Sequence, residues 1–546
     1  MFTTVRSALA ATLLTTGLTT GLLAGAAALN DARAATPRDA LVMAWNLDAL
    51  ITFDPAQIAE VNGNDIIRNV CEPLVNYDLG DVSKIVPNNA ASWTVADDGL
   101  TITFKMRPDL KFPSGKRATA KDAEWSMHRV VHLGFGNSAN FTQWGFSRDK
   151  IAEQIKATDD DTLVVTLDRA YPVGLLLSAM FASGSTGIMD REEGLKNAKV
   201  TDGKSDYGNA FFKTAPICVG AYRVARWNTN EVVILERNDN YWGTPAKLRR
   251  VIIRHVPESG AQRLLLEKGD IDVARLLNTD DLKALAQNPA VHVEQTVMHG
   301  YTYLAFNGLD PILGNPLVRE AFRYLVDYEG LGKTVMEYQG APRASLVPEG
   351  AFGALDAKEG QPFRLDLAKA RALITEAGFP NGFTKKYIVS ANNVAPVIAQ
   401  HVQANAAKIG IKLELEQMAD ANLFTRARSR DFEVLQIGWG AGYPDSDSMI
   451  SRHAVNPDNR VEAKLAQYPS WRSSWQDVKV NEMADAARME RDPAKRIAAY
   501  HEIQRYMMKN GPMAYMFQTI RPIALRKDIK DFAMTPFNVV YATAGK

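Results

Sequence analysis

Ten consecutive residues, Gly438-Trp439-Gly440-Ala441-Gly442-Tyr443-Pro444-Asp445-Ser446-Asp447, hold the densest potential for recognition chemistry in this 546-residue chain. Glycines let a backbone approach another molecule closely. Trp439 and Tyr443 offer broad apolar faces, and Asp445 and Asp447 offer anionic acceptors. The apolar run 432–437 leads into the segment as a strand, so the segment itself is a strand-end turn. Taken alone, it reads equally as an ordinary turn over a buried tryptophan. Trp45-Asn46 closes a second apolar run, 41–45, and divides in the same way between a ligand contact and a core tryptophan with a capping asparagine. Glu124, His128 and His132 are spaced i, i+4, i+8 on one helix face. Two imidazoles and a carboxylate suit a metal, but the glutamate that directly follows the first histidine in zinc proteases is absent, and a solvated helix face explains the spacing better. No metal site and no cofactor are expected.

Other chemistry is missing at the level of motifs. The sequence has no G-x-S-x-G elbow, no P-loop and no G-x-G-x-x-G fingerprint. Gly184-Ser185-Thr186-Gly187 is too short for a phosphate loop. Lys plus Arg number 63 and Asp plus Glu 62, a formal charge of +1. Such a balance supplies no field for a polyanion, so nucleic acid is not an expected partner. Arg249-Arg250 and Arg426, Arg428 and Arg430 read as solvated faces or ion pairs.

The elements that position these residues alternate between strand-like and helix-like, which indicates an α/β or mixed α+β protein. Runs 41–45, 101–106, 162–168, 232–236 and 251–256 read as strands. Thr119 to Asp122 forms a capping-box variant ahead of a helix. Asp366 caps a helix over 367–377 that ends at Gly378. Asp492-Pro493 opens another, with an apolar stripe through Ile497, Tyr500, Ile503 and Met507. Residues 386–439 read as strand, helix, strand, helix, strand. Residues 1–34 read as a secretory signal: Arg6 precedes an uncharged stretch from Ser7 to Leu29, and Ala32-Arg33-Ala34 is an A-x-A cleavage site. The mature product is then a neutral, exported, periplasmic protein. The chain's two cysteines, Cys71 and Cys218, become a candidate disulfide in that oxidising compartment, with two separate buried thiols as the equal alternative.

Residues 91–122, from Ala91-Ser-Trp-Thr-Val to Ala118-Thr-Ala-Lys-Asp122, closely resemble the signature of the family 5 extracellular solute-binding proteins, the periplasmic peptide, oligopeptide and nickel receptors of ABC importers. Val70-Cys-Glu-Pro-Leu, Val219-Gly-Ala-Tyr-Arg-Val224, Asn238-Asp-Asn-Tyr-Trp-Gly243, Leu266-Glu-Lys-Gly-Asp270, Val318-Arg-Glu-Ala-Phe322 and Gly438-Trp439 with Tyr443-Pro444-Asp445 continue the resemblance in order. It implies a two-lobed periplasmic-binding-protein type II fold that closes on ligand. The first lobe is expected to be discontinuous (35–79, 206–295 and 516–546), with a small domain inserted at 80–205 and a second lobe at 296–515. It also implies a monomeric, non-enzymatic receptor whose partners are a small-molecule or peptide ligand and ABC permease subunits. Trp45, Asn46, Trp439, Gly440, Ala441, Gly442, Tyr443 and Asp445 are the expected ligand contacts, and a Cys71–Cys218 bond would be structural.

One departure bears on ligand chemistry. In the family's peptide receptors an aspartate precedes the tyrosine and pairs with the peptide's α-ammonium; here Gly442 stands there. Either Asp445 or Asp447 substitutes, or the ligand lacks a free amine, as an opine, a blocked peptide or a glycoside does. A secreted hydrolase is the rival from another class, but no nucleophile–base constellation or carboxylate pair for it can be named.

Overall fold

The computed structural model describes residues 36–58, 61–391 and 394–546. The expected export signal, 1–34, lies outside them. An eleven-stranded mixed sheet runs through the molecule. Its strands are β1 (Ala40–Trp45), β2 (Tyr222–Asn228), β3 (Val232–Arg237), β4 (Arg250–His255), β5 (Val273–Arg275), β6 (Val291–Phe306), β7 (Gly340–Pro342), β8 (Phe383–Ser390), β9 (Ile411–Met418), β10 (Val434–Gly440) and β11 (Met513–Arg526). The spatial order is β2-β3-β4-β1-β5-β11-β6-β10-β8-β9, with β7 on β11.

The sheet has two halves. In the first, β1 lies parallel to both β4 and β5. In the second, β8 lies parallel to β9 and β10, joined by the helices Ala395–Ala407 and Asp420–Arg428. Every residue of β1 is buried, which is why it reads as an unbroken apolar run: both faces of a parallel sheet are covered. Separate buried clusters pack the two faces of each half, and another fills the inserted domain. In that insert, Ala90–Val95, Thr101–Met106, Thr162–Thr166 and Ile155–Ala157 form an antiparallel sheet covered by the helix Ala120–Leu133.

Only β6 and β11 belong to both halves. They pair from Val291↔Arg526 to Ala305↔Met513, with the register slipping between Val297 and Tyr301. β5 holds β11 through residues 523–525 and β7 holds it through 517–519. Residues 520–522, opposite 295–297, are therefore the crossing between lobes.

The local start signals act as the sequence suggests. Thr119 and Asp122 form the reciprocal capping box, Asp366 accepts from the Lys369 amide, and Asp492 accepts from the Ala494 and Lys495 amides. One expectation shifts. In the helix Pro493–Asn510 the buried face takes Arg496 with Tyr500, Ile503 and Met507, and leaves Ile497 half-buried. Arg496 is drawn inward by an ion pair described below. Among the described residues no helix is long and apolar enough to cross a membrane.

Cys71 and Cys218 are bonded, with Cα atoms 4.9 Å apart across a sequence separation of 147. The bond ties the segment after the helix Val61–Ile67 to the lead-in of β2. There Gly220 runs so close that an added Cβ would sit 2.4 Å from the Val70 carbonyl oxygen. Cross-linking a loop this long removes unfolded-state entropy, so the double variant Cys71→Ser/Cys218→Ser should unfold about 2–4 kcal/mol more easily. Urea titration of the oxidised protein against the variant measures this, and an unchanged midpoint would show that the bond contributes nothing.

Candidate functional site

Ligands of open parallel sheets bind outside the carboxyl ends of the strands. In this chain the carboxyl ends of β1 and β5 on one side, and of β10 on the other, point towards the β6–β11 crossing, which makes the space over that crossing the candidate cleft.

The glycine-rich turn leaves β10 on the second wall. Gly440 pairs with Gly300 of β6, and the Ala441 amide donates to the His299 carbonyl at 2.6 Å. The Gly442 amide donates to Ser448 Oγ at 2.8 Å. Gly438, Gly440 and Gly442 are exposed, and Trp439 and Ala441 are half-buried. Trp439 rests edge-on against the buried His453 ring, centroids 5.2 Å apart, with the Arg472 guanidinium 5.4 Å from its own ring centre. The turn thus presents bare backbone and part of an indole.

Its two carboxylates do something else. Asp445 is 5% exposed. It caps the helix Ser446–His453 through the Asp447 amide and pairs with Arg496 Nη2 at 2.7 Å. Burial pushes its pKa up to about 6 against the pull of Arg496. Asp447 takes a two-pronged contact from Arg488, 3.0 Å to Nε and 2.9 Å to Nη2, and the Tyr443 hydroxyl at 2.7 Å. Burial opposes its ionisation, but the Arg488 charge outweighs that and holds the carboxyl below its ordinary range. The expectation that Asp445 contacts ligand, or that either carboxylate replaces the one missing at Gly442, is corrected: both are spent inside the lobe, because a buried carboxylate needs a partner.

Tyr443 faces away from the turn. It is 7% exposed and packs into the apolar core of the inserted domain. Beside it, Arg488 lies 4.9 Å over the Trp144 ring, and Arg452 donates to Gln143 at 3.4 Å. These second-lobe residues rest on the insert, so the lobes touch across the cleft.

On the first wall, Trp45 is 2% exposed and its ring is covered by the Arg275 guanidinium at 3.6 Å. Of the two readings of Trp45, the buried and covered ring favours the core tryptophan over the ligand contact. Asn46 accepts from the Asp48 amide at 2.8 Å through its side chain and from Asn62 Nδ2 at 3.1 Å through its carbonyl. It shapes the turn after β1. Of the Glu124, His128, His132 face, His128 bonds the Ile155 carbonyl and His132 stacks on Tyr207. Among the described residues no group of three His, Cys, Asp or Glu side chains stands placed to hold a metal.

Sequence reasoning missed Asp65, Arg275, His299, Arg488, Arg496 and Arg521. The signal was a charge at an otherwise apolar position: Arg275 ends the strand after Val273-Ala274, and Arg496 lies four residues before Tyr500 on a core face. His299 had no such signal, because it sits where β6 slips register. It is 5% exposed, its Nδ1 has no partner, and its ring meets the edge of Phe537 at 5.0 Å.

Burial alone pushes the His299 pKa down to about 4. An imidazole in the unfolded chain titrates near about 6.5. The neutral ring's contribution is therefore complete above that pH and is lost as pH falls from about 6.5 towards 4, a loss of about 3 kcal/mol. His453, pushed down to about 3 by burial, first adds in the same direction. Denaturation midpoints measured across that range should fall with pH, and His299→Phe should flatten the slope by nearly one proton.

Comparison with known proteins accords with this architecture. A probable D,D-dipeptide-binding periplasmic protein of Escherichia coli is 26% identical over 509 residues, covering 92% of this chain and 93% of its own. The Helicobacter pylori ABC transporter-associated periplasmic binding protein DppA, solved with the peptide STSA, superposes with a TM-score of 0.73 at 22% identity, over 93% of this chain and 98% of that one. AgaA of A. tumefaciens R10, solved with agropinic acid, superposes with a TM-score of 0.71 at 23% identity over 93% and 98%. Residues 84–459 match the family described as Bacterial extracellular solute-binding proteins, family 5 Middle. With the two lobes, the crossing strands and the exposed turn at the cleft, that match over more than half of its length means that the chain belongs to family 5 of the bacterial extracellular solute-binding proteins.

Proposed function

We propose that the protein is the periplasmic receptor of an ABC importer, closing two lobes on a peptide-like solute and presenting the closed form to the permease without chemical change. The lobes are assigned as 35–79, 206–295 and 516–546 for the first, with 80–205 inserted, and 296–515 for the second. The observation that carries the reading is the exposed backbone of Gly438–Gly442 at the end of β10, beside the β6–β11 crossing that joins the two half-sheets. The buried carboxylates at the cleft rim, Asp445, Asp447 and Asp65, each hold a guanidinium. That arrangement builds a rigid binding wall and leaves no free acid–base pair. Relatives named for dipeptides and a neighbour holding agropinic acid support peptide-like or opine-like ligands.

Gly442 decides between ordinary peptides and solutes without a readable α-amine. With Asp445 and Asp447 committed, nothing on the turn offers the ammonium a carboxylate, so the assigned ligand is an opine-like or blocked solute. Truncating one partner of a buried charged hydrogen bond costs about 2–5 kcal/mol.

Two variants test the site. A Cβ at Gly442 would meet only Ser448 Oγ at 3.9 Å, and Gly442 is not among the positive-φ glycines. Gly442→Asp should therefore fold and gain affinity for free-amine di- and tripeptides over their N-acetylated forms in calorimetric titration, a preference the unaltered protein lacks. If the unaltered protein already binds only free-amine peptides, the assignment fails. Trp439→Ala should weaken binding of the solute that co-purifies with the protein by more than about 1 kcal/mol, the scale of an aromatic anchor. Full affinity in the folded variant would return Trp439 to the core.

A further inference from the structure

The hinge end of the first wall sets three guanidiniums, Arg68, Arg275 and Arg521, against two carboxylates, Asp65 and Glu72. Arg275 ends β5, and Arg521 stands on β11 within the crossing, between the stretch held by β5 and the stretch held by β7. Both guanidiniums reach the same carboxylate, Asp65 of the helix Val61–Ile67: Arg275 Nη2 at 2.7 Å and Arg521 Nη1 at 3.3 Å. Arg68, one turn on, donates to Asn76 at 3.3 Å, and its nearest acid besides Asp65 is Glu72, which is occupied on its far side by the Tyr241 hydroxyl and the Ala221 amide. Three guanidiniums thus surround one free carboxylate.

The same place collects buried polar atoms without hydrogen-bond partners. They include Trp45 Nε1, Arg275 Nε and Nη1, Tyr541 OH and Asn538 Oδ1, on side chains that are all 3% exposed or less. Arg275 is buried against the Trp45 ring. Arg521 differs: its side chain keeps 17% exposure and opens to the cleft floor. Arg275 therefore takes the stronger share of Asp65 and leaves Arg521 a guanidinium edge to offer.

We propose that this hinge corner is an anion subsite, in which Arg521, held in place by Asp65 and backed by the Arg275 charge, receives a carboxylate or phosphate group of the bound solute. The subsite rests on the solute-receptor reading and narrows it to acidic solutes. The two walls then agree: one lacks the carboxylate that would read an ammonium, and the other supplies an uncompensated cation. Because Arg521 lies on a strand shared by both lobes, an anion bound there would be held at the pivot, where closure brings the second wall over it.

The test uses matched pairs of solutes that differ only in charge: N-acetyl dipeptides and opine acids against their amides, and sugar phosphates against the parent sugars. Binding is read by calorimetry, and the solute released on denaturing the purified protein is identified by mass spectrometry. The unaltered protein should prefer the acid of a pair by about thirtyfold or more. Whether the carboxylate or the phosphate pairs show that preference identifies the group. Arg521→Gln should bring the ratio close to one, and Arg521→Lys should keep part of it, which a purely structural role would not do. Equal affinity for acid and amide, or an acid preference that survives in Arg521→Gln, overturns the subsite but leaves the receptor reading standing. If no solute binds and none co-purifies, both fall.

Discussion

Two strands must belong to two sheets at once, and the rest of the molecule follows from that constraint. Among the described residues, β6 and β11 carry the only ladder that continues from one half of the main sheet into the other. A regular antiparallel ladder would weld the halves together. The slip between Val297 and Tyr301 interrupts it at the crossing, a bulge-like irregularity of the kind that bends a strand and redirects side chains. Arg521 and Thr296 pair at one edge of the break, and His299 and Gly300 lie within it. The irregularity therefore places a cationic side chain and a buried imidazole at the crossing.

Each lobe keeps its rim rigid with buried ion pairs. Such pairs add little net stability, since desolvation offsets attraction, but removing one partner is costly because it strands the other. Asp445–Arg496 and Asp447–Arg488 fix the start of the helix Ser446–His453 against the helices Val478–Met489 and Pro493–Asn510. The glycine turn before it can then be exposed without being loose. Asp65 does similar work on the other wall, with the difference that its charge is shared by two guanidiniums.

Much of the fold was legible in the sequence because local chemistry and tertiary structure agree there. The capping residues Thr119, Asp366 and Asp492 sit where the helices start, and the apolar run ending at Trp45 is a buried parallel strand. The strand-helix-strand alternation over 386–439 is the second half-sheet. The site was legible only as backbone. The glycines of 438–442 are exposed at the cleft, as their composition suggested, whereas the acids beside them are not. A sequence window shows that Asp445 and Asp447 are near the turn; it does not show Arg488 and Arg496, some forty to fifty residues later, which claim them. Trp45 stayed open between two readings for the same reason, since Arg275 covers it from a strand 230 residues away in sequence that the parallel sheet places alongside. Long-range ion pairing is what local pattern cannot carry.

If the lobes of this receptor close on ligand as proposed, the contacts between the second lobe and the insert would favour the closed form before any ligand binds. Tyr443, a second-lobe residue, sits in the insert's apolar core with its hydroxyl satisfied by Asp447 of its own lobe. Burying such a ring is worth about 1.5–3 kcal/mol, and Arg488 over Trp144 adds a cation–π contact. A ligand shifts the equilibrium only by its differential affinity for the closed form. Contacts that already favour closure reduce the shift a ligand must supply, and they would leave an empty receptor closed unless something opposes them. On the proposed subsite the hinge corner would oppose them, since guanidiniums in excess over carboxylate are costly to enclose without an anion and favourable to enclose with one. The contact at Tyr443 and the cationic corner at Arg521 would then act against each other in closure, with the charge of the ligand deciding between them.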